Sequence, residues 1–112
     1  MAIYIKTKID LVEEIIKKID SNIISTWSYD EDNDFTYEAD QWCNRAWMSE
    51  KGNDNAAYTF GIIGRRDRPI KTTEYAIFHS RFAEMLLEHF DHDIEDIRIT
   101  SMPVLEIDII NP

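Results

Sequence analysis

The spacing of hydrophobic residues near the N-terminus predicts an amphipathic helix. Five aliphatic side chains recur at intervals of three and four residues, namely Ile9, Val12, Ile16, Ile19 and Ile23. This period places them on one helical face, with lysines and acids on the opposite face. We expect Thr7 to cap the start of this helix and residues 21–22 to end it.

A second helix is predicted between about residue 72 and residue 90, with Thr72 or Thr73 as its cap. Its apolar side chains cover an arc of about 200° when plotted at 100° per residue. An arc of this width is typical of a helix that packs on a sheet and on a second surface. His79 lies near the middle of the arc, whereas Ile77 lies among the polar residues.

The segments between and after the helices have the composition of strands. Phe35, Tyr37 and Ala39 alternate with polar residues, the period of a strand with one wet face. Strands are predicted at residues 24–29, 35–39, 43–49, 57–63, 97–102 and 104–110, with a short edge strand at residues 2–5. Residues 30–34 and 51–55 are predicted hairpin turns.

This order of elements predicts an α+β fold. We expect an antiparallel β-sheet, a meander of about four to six strands, with two amphipathic helices packed on one face in the order α-β-β-β-β-α-β(-β). The chain of 112 residues contains neither a repeat nor a linker, which indicates a single α+β domain over residues 1–112.

No apolar run suits a membrane helix or a signal peptide, so a cytoplasmic location is expected. The single cysteine, Cys43, excludes an internal disulfide and is expected to be a small buried hydrophobe.

Negative charge is concentrated in one part of the chain. The formal net charge is −10, and residues 25–40 hold six acids and no base. A surface of this sign repels phosphate, which argues against nucleic acid and anionic membrane as partners. A basic protein is the partner that this charge favours.

Aromatic residues lie in the same region as the acids. Aromatic side chains supply contact area in interfaces, while carboxylates steer a basic partner. The candidate partner-binding residues are Asp30, Glu31, Asp32, Asp34, Phe35, Tyr37, Glu38 and Asp40. The alternative is that the aromatic side chains belong to the core, which we expect for at least two of Trp27, Trp42 and Trp47.

The leading hypothesis is therefore an acidic protein-binding module rather than an enzyme. By physical analogy it resembles an inhibitor or immunity-type protein that neutralises a basic partner such as a toxin nuclease. No cofactor is expected.

Asp30, Asp32 and Asp34 have the spacing that begins an EF-hand calcium loop. The sixth position is Phe35 instead of glycine, and the twelfth is Gln41 instead of glutamate. The sequence therefore predicts ordinary turn chemistry here and no metal site.

The only net positive stretch follows the last strand of the meander. Arg65, Arg66, Arg68 and Lys71 form a candidate anion-binding site, although no phosphate-loop pattern accompanies them. The alternative is that these side chains pair with nearby acids.

Two other classes of function remain open. One is a small enzyme or an anion- or ligand-binding protein that uses the loop of residues 65–71 and His79, although a hydrogen-bonded core histidine is favoured over a catalytic one. The other is a homodimeric structural subunit that associates through the wide helical arc and Ile77.

Overall fold

The computed structural model describes residues 2–39, 41–54 and 57–109. Its elements, in chain order, are β1 (Ile3–Thr7), α1 (Leu11–Asp20), β2 (Trp27–Tyr29), β3 (Phe35–Tyr37), β4 (Ala46–Asp54), β5 (Ala57–Gly64), α2 (Thr72–Phe90) and β6 (Ile94–Ile99). The strands form one sheet in the order β2-β3-β4-β5-β1-β6, and all named pairs are antiparallel. The predicted α+β fold and the meander from β2 to β5 are confirmed.

Three strand predictions are corrected. The N-terminal strand is not an edge strand, because β1 lies between β5 and β6 and pairs with both. The predicted turn at residues 51–55 is mostly strand, because β4 continues to Asp54, and Asn55 lies outside the described residues. Residues 104–109 form no named strand and make one bridge, Ile63 with Ile109, while Ile110 is not described.

Both helices start at caps that differ from the predicted ones. The Asp10 side chain accepts a hydrogen bond from the Glu13 amide and caps α1, whereas the Thr7 hydroxyl donates to the Asp93 carbonyl. At α2, the Lys71 amide donates to the Glu74 carboxylate, so Glu74 replaces the predicted threonine cap. A carboxylate suits either position because the helix N-terminus presents unpaired amides.

The core lies between the sheet and the two helices. Phe82 of α2 is at its centre, with ring centroids 5.0 Å from Phe60, 5.2 Å from Trp27 and 6.1 Å from Phe35. Leu11 and Ile15 bring α1 into the same cluster. Most of the apolar arc of α2 is thus buried in the core, whereas Leu87 remains exposed.

Lys18 joins the two helices at one end. Its ammonium group donates to the His89 carbonyl at 2.7 Å and lies 4.4 Å from the centre of the Phe90 ring. A cation at the C-terminal end of α2 is favoured by the partial negative charge of the helix end.

Residues 104–109, the C-terminal segment, lie along the part of β5 that extends beyond β1. The Ile109 amide donates to the Ile62 carbonyl, and the Gly64 amide donates to the Ile109 carbonyl. Gly61 has the Ile107 carbonyl so close that any Cβ atom would collide with it. The close approach of the segment to β5 therefore requires a glycine at position 61.

Cys43 is half-buried rather than buried, and its thiol donates to the Glu38 carboxylate at 3.3 Å.

Within residues 2–39, 41–54 and 57–109, neither helix has the length and apolar character that a bilayer-spanning segment requires.

Candidate functional site

The predicted turn between β2 and β3 is confirmed and is held by its own backbone and one side chain. We call residues 30–34 the acidic turn. The Asp30 amide donates to the Asp34 carbonyl, and the Asp30 carboxylate accepts from the amides of Asp32 and Asp34 at 2.9 and 3.0 Å. Asn33 takes a φ of 60°, which asparagine tolerates better than most residues. These bonds fix the backbone of the turn and the Asp30 carboxylate relative to the sheet.

A cleft of about 430 Å³ separates the acidic turn from the loop that follows β5. Its floor is formed by Trp47 and Ile63, which are register partners on β4 and β5. Because neighbouring residues of a strand face opposite sides and Met48 and Ile62 are in the core, Trp47 and Ile63 face away from the helices. One wall carries Asp30 and Asp34, and the other carries Arg65, Arg66 and Asp67.

The ionised form of the Asp34 carboxylate is disfavoured in this cleft. Partial burial raises the pKa of Asp34, and the negative charges of Asp30 and Asp32 add to the effect. A hydrogen bond from Ser49 and the charge of Lys51 lower the same pKa but do not cancel the rise. A cation placed in the cleft would stabilise the ionised form.

The structure divides the predicted partner-binding residues between surface and core. Glu31, Asp32 and Glu38 are exposed, whereas the Phe35 side chain is fully buried against Phe60 and Phe82. Tyr37 is half-buried and packs on Trp27 and Phe78. Asp40 lies outside the described residues. Phe35 is therefore unavailable to a partner, since alternation within β3 turns it toward the helices.

Of the three tryptophans, Trp27 is in the core and Trp42 packs against the core's rim. Trp47 is half-buried on the other face of the sheet and presents its ring to the cleft.

Carboxylate oxygens of Asp30, Asp32 and Asp34 lie within 4.8 Å of one another. The Asp30 oxygen in the turn already accepts two amides, the bonding of an ordinary acidic turn. The arrangement is explained by turn chemistry.

Two of the four predicted anion-binding residues form ion pairs with acids. Arg65 donates to Asp67 through Nε at 2.8 Å, and this hydrogen bond lowers the pKa of Asp67. Arg68 forms a two-bond pair with the buried Glu74. Arg66 and Lys71 are exposed and make no ion pair with the described part of the chain. The four basic side chains therefore do not converge on one anion.

His79 is a core histidine. Its side chain is sealed from solvent, and Nδ1 lies 2.8 Å from the Tyr75 carbonyl, a contact in which the ring donates. Nε2 has no hydrogen-bond partner among residues 2–39, 41–54 and 57–109. A substrate would have to open the core to reach this ring.

Two parts of the structure carry chemistry that the sequence did not reveal. Trp47 and Ile63 form the cleft floor. They alternate along their strands with the core residues Met48 and Ile62, so the strand register places them together on the opposite face of the sheet. Asp108 belongs to the C-terminal segment, and its side chain is sealed from solvent. Its carboxylate accepts from the Ile62 amide, the Val104 amide and the Tyr75 hydroxyl. No local pattern marks Asp108, because its donors lie on three different segments.

No protein-family model matches this chain, and neither a curated protein nor a solved structure matches it. Its function is therefore inferred from the chemistry of these residues.

Proposed function

We propose that the protein is an acidic binding module that captures a basic segment of a partner protein, in the manner of an inhibitor or immunity-type protein. The observation that carries this proposal is the cleft in which the carboxylates of Asp30 and Asp34 stand beside the apolar floor of Trp47 and Ile63. An arginine or lysine side chain has the matching chemistry, an aliphatic stem and a cationic head.

The floor suits the stem and the head of such a side chain. The Trp47 ring attracts a cation over its face, and Ile63 provides an apolar neighbour for methylene groups. A guanidinium group lies flat on an indole ring more readily than an ammonium does, so arginine is the better occupant.

The wall that carries Asp30 and Asp34 suits the positive charge of such a side chain. Partial burial raises the pKa of Asp34, and a cation bound beside that carboxylate stabilises its ionised form. Arg65 competes little, because its guanidinium is held by Asp67.

The whole molecule supports encounter with a basic surface. A net charge of −10 steers such a partner at long range, and the cleft then selects the side chain that enters. A partner whose own function depends on a basic surface, such as a nuclease, is blocked when that surface is occupied.

Calorimetric titration of the purified protein with a hexa-arginine peptide tests the proposal. The matched variants are Asp30→Asn with Asp34→Asn, which preserve the turn's side-chain acceptors, and Glu88→Gln with Asp91→Asn on the exposed end of α2. Both pairs change the net charge equally. We expect the turn pair to weaken binding about tenfold, equivalent to roughly 1.4 kcal/mol, and the α2 pair to change it by less than about twofold.

Equal weakening by the two pairs would mean that the peptide responds to net charge alone and would overturn the cleft as the site. Absence of binding to the unmodified protein at low salt would overturn the proposal as a whole.

A further inference from the structure

The strand β6 forms one edge of the sheet and offers unused backbone groups. The Thr100 amide donates to the Ala2 carbonyl, and the residue pairs between β1 and β6 follow from this register. Because the bonds of antiparallel strands alternate, the backbone groups of Asp96 and Arg98 face β1. Those of Ile97 and Ile99 point away from the sheet, where no strand of the described residues pairs with them. The other edge, β2, has only three residues, whereas β6 has six.

We propose that two copies of the chain pair through β6, antiparallel, about a two-fold axis at Ile97. In this register the Ile97 residues of the two copies exchange both backbone hydrogen bonds. Asp96 of each copy then lies directly opposite Arg98 of the other. The two side chains share one face of the sheet, because they are two residues apart in a strand. The pairing therefore forms two ion pairs across the axis.

Charge selects this register among its neighbours. An axis at Asp96 would oppose the two Asp96 carboxylates, and an axis at Arg98 would oppose the two Arg98 guanidinium groups, both of which are destabilising. An axis at residue 95 would oppose the two Glu95 carboxylates. An axis at residue 99 would place Asp96 and Arg98 opposite residues 102 and 100, which carry no charge. Among these five axes, only the one at Ile97 places each Asp96 opposite an Arg98.

Arg98 already contacts an aromatic ring on the inner side of β6. Its guanidinium lies 4.3 Å from the centre of the Tyr4 ring on the neighbouring strand β1. The long arginine side chain must turn from this ring toward the free edge when the ion pair forms.

Apolar surface continues from the end of β6. Ile99 is 39% exposed, Met102 is 71% exposed and Leu105 is 89% exposed. A six-residue ladder alone provides little buried area, and Ile99, within the strand, and Met102, three residues later in the chain, are the exposed apolar side chains nearest to it in sequence.

The proposed dimer leaves the acidic turn open, because that turn joins β2 and β3 at the other side of the sheet. Pairing through β6 is independent of the proposed binding of a basic partner and would present two such sites at once.

Sizing by light scattering at two concentrations, about a hundredfold apart and at physiological salt, tests the pairing. We expect a dimer at the higher concentration. Asp96→Arg and Arg98→Asp should each give a monomer, because each opposes like charges. An equimolar mixture of these two variants should restore a dimer, since every cross-strand pair in the mixed species joins arginine to aspartate.

Glu13→Arg is the matched control, since it makes the same charge reversal on α1, which contacts β2. It should leave the dimer intact. Hydrogen exchange of the unmodified protein gives a second readout, in which the Ile97 and Ile99 amides become protected at high concentration. A monomer at both concentrations, or a dimer in both single-reversal variants, would overturn the proposal.

Discussion

The Nε2 atom of His79 lies 4.0 Å from the Asp108 carboxylate, and both side chains are sealed from solvent. Nδ1 donates to the Tyr75 carbonyl, so Nε2 is the bare nitrogen of a neutral ring. Burial lowers the pKa of His79 from 6.5 to about 3, although the charge of Asp108 acts in the opposite direction. The cost of desolvating the imidazolium thus exceeds the attraction of a nearby carboxylate.

This pair predicts a loss of stability on acidification. The unfolded chain binds a proton at His79 near pH 6.5, whereas the folded chain binds it only near pH 3, so stability falls as the pH drops between these values. Between pH 7 and pH 4.5 the contribution of His79 is about 2–3 kcal/mol. Urea unfolding at the two pH values should show that His79→Leu lacks this part of the loss.

His92→Gln is the control for the acid effect, because the His92 side chain is 96% exposed. It should follow the unmodified protein at both pH values. If His79→Leu retained the full pH dependence, the neutral buried state of His79 would be contradicted.

Gly61 is expected to be sensitive to the smallest side chain. An added Cβ collides with the Ile107 backbone carbonyl, so Gly61→Ala should destabilise the fold by about 1–3 kcal/mol. Gly52→Ala is the matched control, because an added Cβ there meets nothing within 4 Å. Urea unfolding should place that variant within about 1 kcal/mol of the unmodified protein.

The ion pair of Arg68 with Glu74 should contribute more than a surface pair. The Glu74 side chain is 7% exposed and that of Arg68 is 27% exposed, so removing the arginine leaves a carboxylate almost without solvent. Arg68→Ala should reduce the unfolding free energy by about 2–3 kcal/mol. Arg81→Ala, which breaks the exposed pair with Glu84, should cost less than about 0.5 kcal/mol. Equal losses in urea unfolding would show that the burial of Glu74 has no energetic effect.

The Asp34 carboxylate should lower the stability of the fold and strengthen binding of a basic peptide. Its pKa is raised in the folded chain, so the ionised carboxylate opposes folding above that pKa, and the opposition disappears as the pH falls through it. At pH 7, Asp34→Asn should therefore melt at a higher temperature than the unmodified protein while binding hexa-arginine more weakly. Asp91→Asn, on an exposed side chain, should change neither quantity. A lower melting temperature for Asp34→Asn would contradict the assignment.

The local elements were predictable because their causes are local. The period of Ile9, Val12 and Ile16 identified α1, and the acidic residues of the β2–β3 turn identified a hairpin before any contact was known. Errors arose where a different segment intervened. The Thr7 hydroxyl bonds to Asp93, so Asp10 caps α1 instead.

The candidate site was predictable only in part for the same reason. The sequence marked the carboxylates of the acidic turn, which are adjacent along the chain. It placed Phe35 with them, although the register of β3 buries that ring. The cleft floor depends on the pairing of Trp47 with Ile63, sixteen positions apart in the sequence, which no periodicity within either strand encodes.

The sequence by itself determined the α+β class, the two amphipathic helices, the strand meander and the location of the excess negative charge, since each follows from side chains close together in the chain. The tertiary structure decided that β1 lies inside the sheet, that Asp108 is sealed beside His79, and that the acidic turn faces the Trp47 ring. Each of these depends on which distant backbone groups pair. That choice is made by the free energy of burying the whole apolar surface at once, rather than by any single segment.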